Sequence, residues 1–216
     1  MLTFGLDLVT ISVWIGLRNL QITVASTLLD MINVPGLAPK IAASLPDATV
    51  DNLNTFGPDA GKGTPWVLLR SAMFESIRLC GPATGLARII STVHDLPLAS
   101  DPSIRLPSGQ LATLSAFYSH RLAVNWGKDA ASYHPERFSK HDPDVGAKEF
   151  ITWGLKGPHT CPGRWFAQEA ICILVKALLD EYEFVPEGVL EDEEKYIYNA
   201  GVVTRKEVSV VVKRKN

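Results

Sequence analysis

The chain has 216 residues, 46% hydrophobic and 20% charged, which suits one folded domain and excludes a disordered segment. Its formal net charge of -2 gives no electrostatic footing for a nucleic-acid partner. Three cysteines, with no C-x-x-C pair, exclude a disulfide framework and the common structural zinc sites.

MLTFGLDLVTISVWIGL opens the chain with no positive charge near its start, so it reads poorly as a secretory signal. Residues 8–32 carry a helical pattern that stops at Val34-Pro35-Gly36. Ten uncharged residues lie between Asp7 and Arg18, and eleven more run from Asn19 to Leu29. Each run is shorter than the roughly 20 residues of a bilayer span. Two readings stay open, a long core helix with one wetted edge and a membrane-associated helix. A short helix is expected over 37–45, and a loop over 47–65, where Gly, Pro, Asn and Asp accumulate. Trp66, Leu69, Met73, Ile77 and Cys80 then recur at intervals of three or four. That spacing predicts a helix over 66–80, ended by Gly81-Pro82.

Beyond it the period changes. Residues 87–92 and 109–115 are strand candidates belonging to a small sheet, with LPSG at 106–109 a turn. A polar, proline-broken segment covers 125–149, and a strongly apolar helix is expected over 164–182. YIYNAGVVT and EVSVVVK are strand-like and are expected to close as a hairpin near TRKE. The coarse result is a helical body with a small sheet.

Two groupings carry chemistry. Glu75 and Arg78 share one helix face, and Phe74, Ile77 and Leu79 surround them with apolar side chains. A pair buried in that way needs a third partner, which Arg137 of YHPERF can supply. The second grouping is WGLKGPHTCPGRWFA at 153–167. Pro162 suits a first helical position, which puts Cys161 at the N-cap or just before it, where unpaired N–H groups favour a thiolate. Gly154, Gly157 and Gly163 let the backbone approach something flat or bulky. His159 is an available base for a nucleophilic thiol, but no Asp or Asn is placed to orient it. A free cysteine packed in the core is the plain alternative, and Cys80 and Cys172 read that way. His120 and Arg121 read as packing or surface residues, and His94, His134 and His141 show no metal-ligand spacing.

GPHTCPGRWFA resembles the haem-binding loop of the cytochrome P450 family, and the order E-x-x-R, P-E-R-F, cysteine loop is similar to that family's. The resemblance runs over about residues 15–212 and implies a mainly α fold with a small β-sheet, the truncated, proximal C-terminal half of a P450. Residues 1–216 are then one partial P450-like domain. Its parts are a distal-type helix at 8–33, the E-x-x-R helix at 66–80, and the haem loop with its helix at 153–182. It makes Cys161 the axial thiolate of haem iron, a ligand that favours O–O cleavage. Gly157 matches the family's fixed glycine, Trp153 its aromatic, and His159, Arg88 and Arg164 its haem-flanking positions. For Arg88 a solvent arginine on an edge strand is the alternative. Glu75, Arg78 and Arg137 become the structural lock beneath the haem.

Two departures follow from the same comparison. Trp153 stands eight residues before Cys161 where the family has seven, so Leu155 or Lys156 is an additional residue that a β-bulge would absorb. Asn19 occupies the place of the oxygen-handling threonine, with Thr23 the nearest hydroxyl. The implied function is a monooxygenase that oxidises an apolar small molecule with O2 and electrons from an external NADPH-dependent reductase. The segment resembles fungal secondary-metabolism members. Attachment to the endoplasmic-reticulum membrane is expected by the same resemblance, and a cytoplasmic location if an anchor is absent. The competing expectations are an inactive, truncated P450-like chain and a binding module without haem.

Overall fold

A computed structural model describes residues 2–45, 66–81, 85–91, 95–98, 100–140, 150–155, 157–188, 196–199, 202–205 and 208–215. The loop expected over 47–65, and His94, His141 and Lys156, lie outside the described residues.

Six helices are described: α1 Leu2–Ile32, α2 Leu37–Ser44, α3 Val67–Cys80, α4 Ala116–Ser119, α5 Ala123–Trp126 and α6 Arg164–Glu181. Helix α1 begins earlier than the expected residue 8, because nothing between Leu2 and Asp7 breaks it beyond one tolerated glycine. It stops where Pro35 cannot continue the ladder and Gly36 turns left-handed at φ 75°. Its C-terminal half is buried, and the buried face includes Thr23, Ser26, Thr27 and Asp30 beside Leu28 and Met31. Leu17 and Arg18 face solvent. Among the described residues no single helix is long and apolar enough to cross a membrane. Gly16–Ile32 and Leu37–Ser44 meet that test only together, bent by 110°.

Helices α1, α2, α3 and α6 pack on one another around Met31, Ile41, Met73, Phe74, Ile171 and Val175. From Leu69 to Cys80 every residue of α3 is buried, its charged ones included. A helix buried on all sides is the spine of its domain.

The strands depart from the single small sheet that was expected. They are β1 Gly85–Ile89, β2 Leu96–Leu98, β3 Asp101–Leu106, β4 Leu111–Ser115, β5 Tyr182–Pro186, β6 Tyr196–Asn199, β7 Val202–Arg205 and β8 Val210–Arg214. They form four separate antiparallel pairs, β1 with β4, β2 with β3, β5 with β8 and β6 with β7. The first pair runs from Gly85↔Ser115 to Ile89↔Leu111 and shifts the expected 87–92 strand toward its start. The β2–β3 hairpin was not anticipated, since Pro97 and Pro102 interrupt any alternating pattern. The hairpin near TRKE is corrected as well. YIYNAGVVT holds two strands and not one, since β6 pairs with β7 from Tyr196↔Arg205 to Asn199↔Val202. Strand β8 pairs instead with β5, directly after α6.

Candidate functional site

Helix α3 places Glu75 and Arg78 one turn apart in the core, with side chains fully inaccessible. Glu75 Oε2 accepts from Arg78 Nε at 2.8 Å, and Oε1 accepts from Arg78 Nη2 at 2.7 Å, Arg137 Nε at 3.0 Å and the His134 amide at 3.0 Å. Arg78 spends its remaining donors on the carbonyls of His120, Ala130 (2.6 Å) and Ser132 (3.2 Å). Arg137 reaches Trp126 O at 3.1 Å and Asp129 Oδ2 at 3.3 Å. Two guanidinium groups thus share one buried carboxylate; backbone oxygens take up the rest of the Arg78 donors, and backbone oxygens with Asp129 Oδ2 serve Arg137. Phe74, Trp126, Phe138 and Phe150 meet edge to face around them, which excludes water.

The residues after β4 complete this structure in a way the sequence reading missed. His120 is buried, its Nδ1 2.9 Å from Arg78 O, and its Nε2 3.1 Å from the Ile151 amide. Burial, helped by the charges of Arg78 and Arg121 and opposed by the bond to Arg78 O, lowers its pKa from 6.5 to about 4. Arg121 donates to Leu79 O at 2.7 Å. The pair therefore satisfies carbonyls at the C-terminal end of α3. Only the adjacency of two polar side chains in a short connection hinted at it.

The thiol loop starts from the buried anchors Phe150 and Ile151. Gly154 donates to Ile151 O at 3.0 Å with φ +88°, and a Cβ there would lie 2.8 Å from His159 O, so only glycine fits. The Cys161 amide donates to Trp153 O at 2.7 Å and closes the loop. Among the described residues of the loop no strand forms, and Lys156, one of the two positions for the expected β-bulge, lies outside them. The Thr160 hydroxyl lies 2.9 Å from Leu155 O and Gly157 O and accepts from Gly157 N at 3.1 Å. The capping expectation is also corrected. Helix α6 begins at Arg164 with Gly163 as N-cap, so Pro162 precedes the helix and Cys161 lies two residues before the cap. A tighter turn intervenes, in which the Arg164 amide bonds Cys161 O at 3.4 Å before the first α-type bond, Ala167 N to Gly163 O at 2.9 Å.

Of the three cysteines only Cys161 is partly exposed; Cys80 and Cys172 are buried. Ser26 Oγ stands 3.6 Å from Cys80 Sγ, and Cys172 Sγ stands 3.8 Å from Met73 Sδ, contacts of ordinary core residues. Trp153 Nε1 and Arg164 Nε, one on each side of Cys161 in sequence, are buried donors without an acceptor. Arg164 Nη1 bonds Cys161 O at 3.1 Å. Phe166 is 71% exposed and Trp165 45%. His159 and Gly157 are exposed. Arg88 is exposed on β1 and donates to Ala87 O at 2.7 Å. On α1, Asn19 is half-buried, and the buried Thr23 hydroxyl donates to Asn19 O at 2.8 Å. Among the described residues no group of His, Cys, Asp and Glu could hold a metal ion by itself.

The Cytochrome P450 family profile matches residues 58–212. This chain belongs to the cytochrome P450 family. The sequence match is narrower than the expected 15–212, and Asn19 and Thr23 precede it. Among relatives, the cytochrome P450 monooxygenase ecdH of Aspergillus rugulosus is 33% identical over 120 residues, 55% of this chain and 23% of that protein. The cytochrome P450 monooxygenase claO of Ampulloclitocybe clavipes is 26% identical over 178 residues, 73% of this chain and 32% of its own length. The cytokinin hydroxylase of Arabidopsis thaliana is 32% identical over 116 residues, 54% of this chain and 21% of that protein. The chain therefore spans a third or less of the relatives it matches. A solved cytochrome P450 (CYP102L1) shares the fold, with a TM-score of 0.68 at 20% identity over 92% of this chain and 43% of that one. The P450 fold here is mainly helical with small antiparallel sheets.

Proposed function

We propose that residues 1–216 form the haem-thiolate part of a cytochrome P450 monooxygenase, with Cys161 the axial ligand. The observation that supports this best is the chemistry around Cys161. It is the one partly exposed thiol, it lies at the end of a loop tied to a buried ion cluster, and two unpartnered N–H donors lie beside it in sequence. An anionic, flat cofactor with acceptor oxygens suits that donor set, as an aliphatic lining would not.

When bound, haem would activate O2 so that one oxygen atom enters an apolar small molecule and the other leaves as water, with electrons from an external NADPH-dependent reductase. The chain's own residues then have separate tasks. Cys161 would hold the iron, with Trp153 and Gly157 in the loop that presents it. Arg164, His159 and Arg88 are the residues for the propionates; Arg88 and His159 are exposed. Asn19 would supply a polar group for handling oxygen, and Thr23 holds the Asn19 carbonyl. Glu75, Arg78 and Arg137 keep the scaffold rigid. A fungal-type secondary-metabolite substrate and an association with the endoplasmic-reticulum membrane complete the proposal.

The commitment of the Thr23 hydroxyl to its own helix favours a second reading, in which the chain holds haem but turns over nothing by itself. Expression with a haem supply tests both. A reduced carbon monoxide spectrum of the thiolate type, lost in C161A and kept in C80A and C172A, is expected. Equal haem retention in all three variants overturns the ligand assignment. Loading without product, when a reductase is supplied, selects the second reading.

A further inference from the structure

We propose that His120 is a positioning residue for the thiol loop: as the neutral Nδ1–H tautomer it ties the C-terminal end of α3 to Ile151, where that loop begins. The geometry leaves one protonation pattern. Arg78 O can only accept, so the proton sits on Nδ1 at 2.9 Å. The Ile151 amide can only donate, so Nε2 is bare at 3.1 Å. An imidazolium or the other tautomer would set two donors, or two acceptors, against each other.

The ring is 1% exposed and stacks on Phe150 at 5.4 Å and 15°, so it has no room to turn away. Arg78 and Arg121 are the charged groups that face it, and both oppose a positive ring. From Ile151 the hydrogen bonds continue through Ile151 O to Gly154 N, then from Trp153 O to the Cys161 amide. Arg121 also grips the helix end, at Leu79 O. The donor side of His120 therefore has a helper, whereas its acceptor side sets the loop. What this means for haem rests on the proposed function; the position of the loop does not.

Two substitutions separate the two bonds. His120→Asn keeps a donor in reach of Arg78 O and gives up the acceptor for Ile151. His120→Gln carries an amide oxygen out to the Nε2 position. In H120N, hydrogen exchange at the Ile151 amide is expected to quicken about tenfold, and native-state labelling of Cys161 by a thiol reagent is expected to change. Amides of α3 should keep their protection. In H120Q both should stay within about threefold of the wild type. Unchanged Ile151 exchange in H120N overturns the proposal. If H120N fails to fold, nitrogen chemical shifts of His120 in the wild-type chain decide. An Nδ1–H ring from pH 7.5 to pH 5.5 supports the proposal, and an Nε2–H ring or imidazolium in that range overturns it. Haem loading is measured apart from these, so a wild-type chain that takes no haem sinks only the functional reading.

Discussion

Around Glu75 one carboxylate accepts four hydrogen bonds, two guanidinium groups divide it between them, and four aromatic rings close over the result. In the segment that carries Cys161, Trp153 Nε1 and Arg164 Nε are buried donors with no acceptor among the described residues, and Phe166 stands 71% in solvent. Both regions lie within the family match and share the anchors Phe150 and Ile151. The first is satisfied by the chain's own atoms, and the second still has bonding capacity for something else. A scaffold and the binding site proposed at Cys161 differ in that respect, and substitutions should break them differently.

The largest effect is expected in the scaffold. Glu75→Ala leaves Arg78 and part of Arg137 as unneutralised buried charge, and should cost about 3–5 kcal/mol in denaturant unfolding. A loss under about 1 kcal/mol would show that water reaches the cluster.

Acid should act next, through His120. Its folded pKa of about 4 lies below the ordinary 6.5, so the unfolded chain takes the proton first as pH falls. The neutral ring's contribution is complete above about pH 6.5, declines through the interval, and is lost below about pH 4, a total near 3 kcal/mol. Unfolding free energies measured across that window should fall more steeply for the wild type than for H120Q. Parallel slopes would mean that the ring is not buried neutral.

Gly154→Ala tests the loop backbone. At φ +88° a Cβ is strained, and it would meet His159 O at 2.8 Å, so the substitution should cost about 2 kcal/mol. It should also alter Cys161 labelling while leaving the Glu75 cluster intact. Stability equal to the wild type would show that the loop can re-form around the side chain.

The same contrast explains what could be read from sequence. Helices α3 and α6 were placed within one residue at either end because apolar side chains recur at the helical spacing over many turns. The grouping of Glu75, Arg78 and Arg137 was legible because a buried ion pair wants a third partner and because the order E-x-x-R, P-E-R-F, cysteine loop resembles that of the cytochrome P450 family. The four separate strand pairs were not legible. They are short, β2 and β3 each carry a proline, and the registers of β1 with β4 and of β5 with β8 depend on partners more distant in sequence. His120 satisfies a carbonyl 42 positions away, and no local pattern announces such a contact. At Cys161 a sound rule about proline at helix starts gave way to a tighter turn stabilised by Arg164.

The smallest effect belongs to Thr160, and it separates loop shape from loop stability. Its hydroxyl accepts from one amide and has a single proton to share between two carbonyls of a segment whose residues 157–159 are exposed. Water can replace each of those bonds, so Thr160→Val should cost only about 1 kcal/mol or less. The valine keeps the branched shape, and Cys161 N to Trp153 O remains to close the loop. Gly157, at φ +139° with nothing near its Cβ position, loses the hydroxyl that fixes it. Hydrogen exchange at residues 155–160 should therefore quicken while the Ile151 and Cys161 amides stay protected. If the hydroxyl instead fixes the thiol itself, Cys161 labelling would change as much as in G154A, and the additional loop residue would be part of the site.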